Sequence, residues 1–139
     1  MIQPKYGMTG TRTATPLLYK TVRAWVMSLP DDAIIYHGAC EGADALVAEA
    51  AKERGLYVIA VVPHNKKAVD YNSVRNSDER IDAPKGMNGK NDYRVRNELL
   101  VSQVDFMHAF WTGKKRYSGT FMTMNIARKT NVPLTYDMV

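Results

Sequence analysis

Apolar positions along this chain recur with two periods, and their alternation lays out the elements. Tyr6 to Thr9 reads as a first short strand, ended by Gly10. Behind Thr15-Pro16, an N-cap followed by proline at the first helical position, Leu18, Val22, Trp25, Val26 and Leu29 fall on one helical face. Pro30 closes that helix and Asp31-Asp32 turn the chain. Ala33 to Tyr36 reads as a second strand, with a turn at 37–42 behind it. Ala43 to Arg54 is rich in alanine and glutamate and stops at Gly55, which predicts a helix. Tyr57 to Val62 is nearly continuous in apolar residues, the signature of a strand buried on both faces. Asp92 to Gln103 and Ser118 to Lys129 read as helices, and Phe106 to Phe110 and Val132 to Tyr136 as the fourth and fifth strands. Pro133 places the last of these at an edge or delays its start.

Periodicity fades between His64 and Asn91, where Asn, Asp, Lys, Gly and Ser dominate. So long a connection without a pattern is unusual in a compact domain. It reads as a loop or lid insertion with room for a short helix near Val69 to Arg75; a plain surface insertion is the alternative.

Strands alternating with helices predict an α/β protein with a mostly parallel sheet covered on both faces. Right-handed crossovers narrow the topology to a Rossmann-like three-layer sandwich of five strands in the order 3-2-1-4-5. A ligand crevice is expected where that order reverses, at the carboxyl ends of strands 1 and 4. Residues 1–139 read as a single domain.

Composition refines this picture only slightly. The length of 139 residues, the 45% hydrophobic and the 24% charged fractions suit an ordinary globular domain. The single cysteine, Cys40, allows no internal disulfide. Neither a leader nor a run of roughly 20 apolar residues is present, so a cytoplasmic protein without membrane contact is expected. The net charge of +5 suits an anionic ligand or nucleic acid, and equally suits solubility alone.

The candidate chemistry sits in the turns that this topology gathers at one end of the sheet. Thr9-Gly10-Thr11-Arg12 follows strand 1: Gly10 permits close backbone approach, Thr11 offers a hydroxyl and Arg12 a phosphate-binding fork. His37-Gly38-Ala39-Cys40-Glu41-Gly42-Ala43-Asp44 opens a helix whose free N–H groups suit an anion. Gly38 and Gly42 keep the turn slim, and Asp44 either caps the helix or meets a ribose hydroxyl. His37 is either a pocket ligand or a structural residue. Arg96-Asn97, near the start of the next helix, suits a phosphate and a ribose or base edge. Ser118-Gly119-Thr120 at the last helix offers hydroxyls, free N–H groups and the helix dipole to a phosphate. Lys114, Lys115 and Arg116 add positive field there, with Trp111 and Tyr117 flanking. No pair among His37, His64 and His108 has zinc-ligand spacing. No cofactor is required, though Mg2+ would suit a phosphorylated ligand.

The same residues carry a resemblance. The Thr9–Arg12 turn, the His37–Asp44 motif, Arg96-Asn97 and Gly119-Thr120, in this order, resemble the SLOG superfamily, and most closely its short YpsA/YspA-related branch. The resemblance covers nearly the whole chain outside 64–91. It implies a Rossmann-like domain binding nucleotides or nucleotide-derived ligands, and homo-oligomers. Many members of that branch sit in phage, conflict or nucleotide-signalling contexts. The related LOG phosphoribohydrolases carry a Gly-Gly-x-Gly-Thr-x-x-Glu motif; here Thr123 stands where the glutamate belongs and the first glycine of the motif is replaced. The departure counts against LOG-type hydrolysis.

These observations lead to a nucleotide-binding protein, a sensor or sequestering protein, with no catalytic residue assigned. One alternative is N-glycosidic hydrolysis of a nucleoside monophosphate or ADP-ribose-like ligand, with Asp44 or Glu41 as base. Another is a nucleic-acid-binding module like DprA, set lower because the basic run at 114–116 is narrow. A last reading is an interaction protein whose functional surface is the 64–91 segment.

Overall fold

The computed structural model describes residues 3–139. Strands β1 (Lys5–Gly10), β2 (Ile34–His37), β3 (Tyr57–Val62), β4 (Glu79–Asp82), β5 (Phe106–Trp111) and β6 (Leu134–Met138) form one sheet in the order β4-β3-β2-β1-β5-β6. Every neighbouring pair is parallel. Helices α1 (Pro16–Ser28) and α2 (Ala43–Arg54) pack on one face. Helices α4 (Asp92–Ser102) and α5 (Gly119–Lys129) cover the other, and the short α3 (Tyr71–Arg75) lies between β3 and β4.

Local chemistry explains the helix ends. Thr15 Oγ1 accepts from the Leu18 N–H at 3.1 Å and Pro16 begins α1. Leu18, Val22 and Val26, one turn apart, bury its inner face. Gly55 ends α2 in the left-handed conformation. Alanines 43, 48, 50 and 51 let α2 lie close to the sheet over Val58, Ile35 and Met8. On the opposite face Tyr36, Ile59, Val61 and Met107 meet Leu100, Val101 and Ala127.

The expectation of five strands in the order 3-2-1-4-5 is overturned. The sheet has six strands, and β4 lies within the segment read as a loop or lid. Its four residues, Glu79-Arg80-Ile81-Asp82, are exposed except for the partly buried Ile81. An edge strand held by backbone pairing to β3 leaves almost no apolar pattern to read.

Candidate functional site

In an all-parallel sheet every connection leaving a strand emerges at the same edge. Here those connections are strongly basic. Arg12 follows β1, Lys66 and Lys67 follow β3, Lys85 and Lys90 follow β4, and Lys114, Lys115 and Arg116 follow β5. Glu41 and Asp70 are the acidic residues on them, and Asp70 caps α3. The opposite edge carries Asp31 and Asp32 before β2, Asp78 before β4 and Asp105 before β5. The connections at the two edges thus differ in charge, although Lys66 pairs with Asp82 and Lys90 with Glu98, and Arg54, Arg128 and Lys129 end helices at the opposite edge.

At the basic edge lies a crevice of about 690 Å3, between the ends of β1 and β5, the first turns of α2 and α5 and the second and third turns of α4. Gly10, Thr11, Arg12, Gly38, Asp44, Arg96, Asn97, Ser118, Gly119 and Thr120 all line it, joined by Lys114, Trp111 and Tyr117. His37 and Gly42 do not.

His37 is fully buried. Its Nδ1 accepts from the Ala39 N–H at 3.0 Å, so Nε2 carries the proton in the neutral ring and donates to Ser77 Oγ at 2.7 Å. Ser77 Oγ in turn donates to the Ser73 carbonyl. This chain ties the end of β2 to α3. Burial, helped by the Arg96 charge, holds the His37 pKa down to about 3. Gly42 has φ +75°, and a Cβ there would overlap the Thr11 carbonyl oxygen and the Arg12 backbone. The Ala43 N–H donates to that carbonyl at 2.9 Å, fixing the β1 turn on the start of α2.

The Arg96 guanidinium is buried and engaged. Nε donates to Asn97 Oδ1 at 2.7 Å, Nη1 to the Gly38 carbonyl, and both Nη atoms lie 3.9 Å from Cys40 Sγ. Gly38 makes this possible, since a Cβ would sit 2.9 Å from Arg96 Nη1. Asp44 is also buried and accepts from the Cys40 N–H at 3.0 Å. Burial pushes its pKa up to about 6, against the pull of Arg96 and of the Cys40 and Gly38 N–H groups. Burial likewise raises the Cys40 thiol. Among the described residues Asp44 is the one acidic side chain lining the crevice.

The open cations lie nearer the mouth. Arg12 is exposed and has no ion-pair partner among the described residues; its guanidinium stands 5.8 Å from the Tyr93 ring centroid. Arg96 stands 6.0 Å from the same ring. The sequence reading missed Tyr93, although its spacing of three from Arg96 puts both on one helix face. Ser118 Oγ caps α5 by accepting from the Phe121 N–H at 3.1 Å. The Gly119 and Thr120 N–H groups have no acceptor within the helix and line the crevice. Thr123 is buried and its hydroxyl donates to the Gly119 carbonyl at 2.8 Å, so it faces the core rather than a ligand.

Trp111 is half-engaged: its ring stacks on Phe121 at 5.6 Å and its Nε1 donates to the Lys114 carbonyl. Tyr117 is the opposite case. It holds φ +53° and its side chain is 93% exposed at the crevice mouth, with Arg116 beside its ring. Its backbone thus lies in the left-handed region that non-glycine residues seldom adopt.

Among the described residues no three of His, Cys, Asp and Glu cluster as metal ligands, and no helix is long and apolar enough to cross a membrane.

No protein-family model matches the sequence, and no curated protein does. Solved structures do match. DNA processing protein A (DprA) from Streptococcus pneumoniae aligns over 96% of this chain and 50% of its own, at 20% identity and TM-score 0.73. DprA from Helicobacter pylori, whose structure describes a single-stranded DNA binding mode, aligns over 96% and 64%, at 18% identity and TM-score 0.70. The structural-genomics target TM1055 aligns over 95% and 72%, at 15% identity and TM-score 0.66. The chain therefore spans about half the length of the Streptococcus protein. Two of the three are DNA processing protein A, one of them with a described single-stranded DNA binding mode, rather than a nucleotide sensor or a LOG-like hydrolase. That overturns the expectation of a nucleotide-binding sensor or sequestering protein, and of nucleic acid as the lesser partner. What the likeness establishes is the fold: a Rossmann-like α/β arrangement shared with these structures.

Proposed function

We propose that this chain is a DprA-like nucleic-acid-binding module that takes single-stranded DNA at the basic edge of its sheet. One observation carries the reading: the strand-end crevice combines unpaired cations, the open N-terminus of α5 and a bare aromatic ring. Arg12 and Lys114 line it and Lys115 and Arg116 adjoin it, supplying charge for a phosphate backbone. The Gly119 and Thr120 N–H groups supply directional donors for one phosphate. Tyr117 supplies a face on which any base can stack, which suits binding without sequence preference. The narrow basic run at 114–116 argued against this reading in the sequence. The parallel sheet supports it by adding Arg12, Lys67 and Lys85 of the β1, β3 and β4 connections to the same edge, while Lys66 and Lys90 are paired with Asp82 and Glu98.

Within the superfamily, the His37–Asp44 motif and the Gly119-Thr120 pair favour the short YpsA/YspA-related branch. The site residues play two parts in this proposal. Arg12, Ser118, Gly119 and Thr120 meet the strand; Gly10, His37, Gly38, Gly42, Asp44, Arg96 and Asn97 shape and brace the crevice.

The test is fluorescence anisotropy with a labelled oligothymidylate. The wild type is expected to bind it and to bind a blunt duplex more weakly. Tyr117→Ala is expected to lower single-strand affinity about tenfold, the loss of one stacked base. Equal affinity for wild type and Tyr117→Ala would overturn the assignment.

A further inference from the structure

The crevice does not end at its mouth. Strand residues two apart share a sheet face, so Ala109 and Trp111 of β5 lie on the same side as Tyr136 and Met138 of β6. On that side, beyond α5, Trp111 packs edge-on to Tyr136 at 5.8 Å while its other contact, Phe121, stacks beneath it. Tyr136 and Met138 are 50% and 56% exposed. The Lys115 ammonium stands 6.0 Å from the Phe121 ring. An aromatic cluster on an edge strand, flanked by an unpaired lysine, thus adjoins the crevice through Trp111, which belongs to both.

We infer that a single strand leaving the crevice crosses the 112–118 connection and stacks a second base on the Trp111–Tyr136 cluster. This rests on the proposed reading of the crevice. Three features select this occupant. The patch is continuous with the crevice. Its charge is positive, from Lys115, which is complementary to a phosphate backbone. Its apolar part is led by the aromatic rings of Trp111 and Tyr136, with Met138 beside them, and stacked aromatics interleaved with cations are a means by which proteins hold unpaired bases.

The experiment uses labelled oligothymidylates from about 4 to about 16 nucleotides, the range of site sizes of single-strand-binding OB folds, against wild type, Tyr136→Ala and Tyr136→Trp. Tyr136→Ala is expected to bind the shortest oligonucleotide that the wild type holds as well as wild type does. It is expected to bind the longest about tenfold more weakly, with Tyr136→Trp restoring the loss. Tyr136→Trp keeps an aromatic ring against Trp111, so its restored affinity also shows that the fold survives changes at this position. Wild-type binding that ignores Tyr136 at every length overturns the second subsite and leaves the crevice standing. Wild type that binds no oligonucleotide overturns both. A dimer that dissociates on Tyr136→Ala while oligonucleotide affinity holds would make the patch a contact between copies of this chain, and overturn the inference.

Discussion

Replacing Lys114 and Lys115 together by alanine probes the electrostatics at their most accessible point. The cations free to meet phosphates around the crevice are Arg12, Lys114, Lys115 and Arg116. Arg96 is left out because its guanidinium is buried and bonded to the Gly38 carbonyl and Asn97. If each free cation neutralises one phosphate, the logarithm of affinity falls with the logarithm of salt at a slope of about −2.8 for a single strand. Between about 50 and about 200 mM KCl the wild type then loses about 50-fold in affinity. The double variant keeps about half the slope, near −1.4, and loses about 7-fold over the same range. Anisotropy titrations of one labelled oligothymidylate across a KCl series measure both slopes. Lys115 faces solvent and the Phe121 ring, and Lys114 uses its backbone carbonyl rather than its ammonium to hold Trp111, so the fold is expected to survive. An unchanged slope in the double variant, or a wild-type affinity indifferent to salt, would refute the reasoning.

Three further outcomes follow from particular residues. Gly42→Ala places a Cβ against the Thr11 carbonyl and the Arg12 backbone at φ +75°, ψ −123°, and is expected to cost about 3 kcal/mol in denaturant unfolding. His37 titrates near 3 when folded and near its ordinary value when unfolded, so the unfolded chain takes the proton first and stability is lost as pH falls below about 6.5. The stability deficit of His37→Asn should therefore shrink with acid, by at most about 1.4 kcal/mol per pH unit, in unfolding curves taken from pH 7 to 5; a constant deficit would show that the ring is not held neutral. Asp44 has the reverse sign, taking its proton near 6 when folded, and it is the carboxylate in the crevice. Affinity for an oligonucleotide should rise as pH falls through about 6, and Asp44→Asn should abolish that rise.

The helices were readable because their signals are local. Thr15-Pro16 and the Leu18, Val22, Val26 stripe mark α1 within a dozen residues, and Gly55 marks the stop of α2. The strand-end turns could be grouped before any coordinates, since a parallel α/β sheet delivers them to one edge. Strand β4 was hidden because an edge strand with one partly buried side chain is held by backbone bonds that leave no trace in composition. Long-range pairing hid the rest. The bond from His37 to Ser77 spans 40 residues and the one from Arg96 to Gly38 spans 58, and only folded geometry shows that these groups brace the crevice. The charge asymmetry was hidden for a related reason. Arg12, Lys67, Lys85 and Lys114 are scattered in sequence and converge only once six parallel strands fix which connections share an edge. That scatter made the basic surface look narrower than it is.

A competition titration separates the proposed module from a small-molecule pocket most directly. Labelled oligothymidylate bound to the wild-type chain is challenged with unlabelled single strand, blunt duplex and thymidine monophosphate at one fixed salt concentration. The account predicts that the unlabelled strand displaces the probe, that the duplex does so only weakly, and that the mononucleotide needs a far higher concentration because it engages one phosphate seat and none of the surrounding cations. Displacement by the mononucleotide at concentrations as low as those of the strand, or no binding of the strand at all, would contradict it.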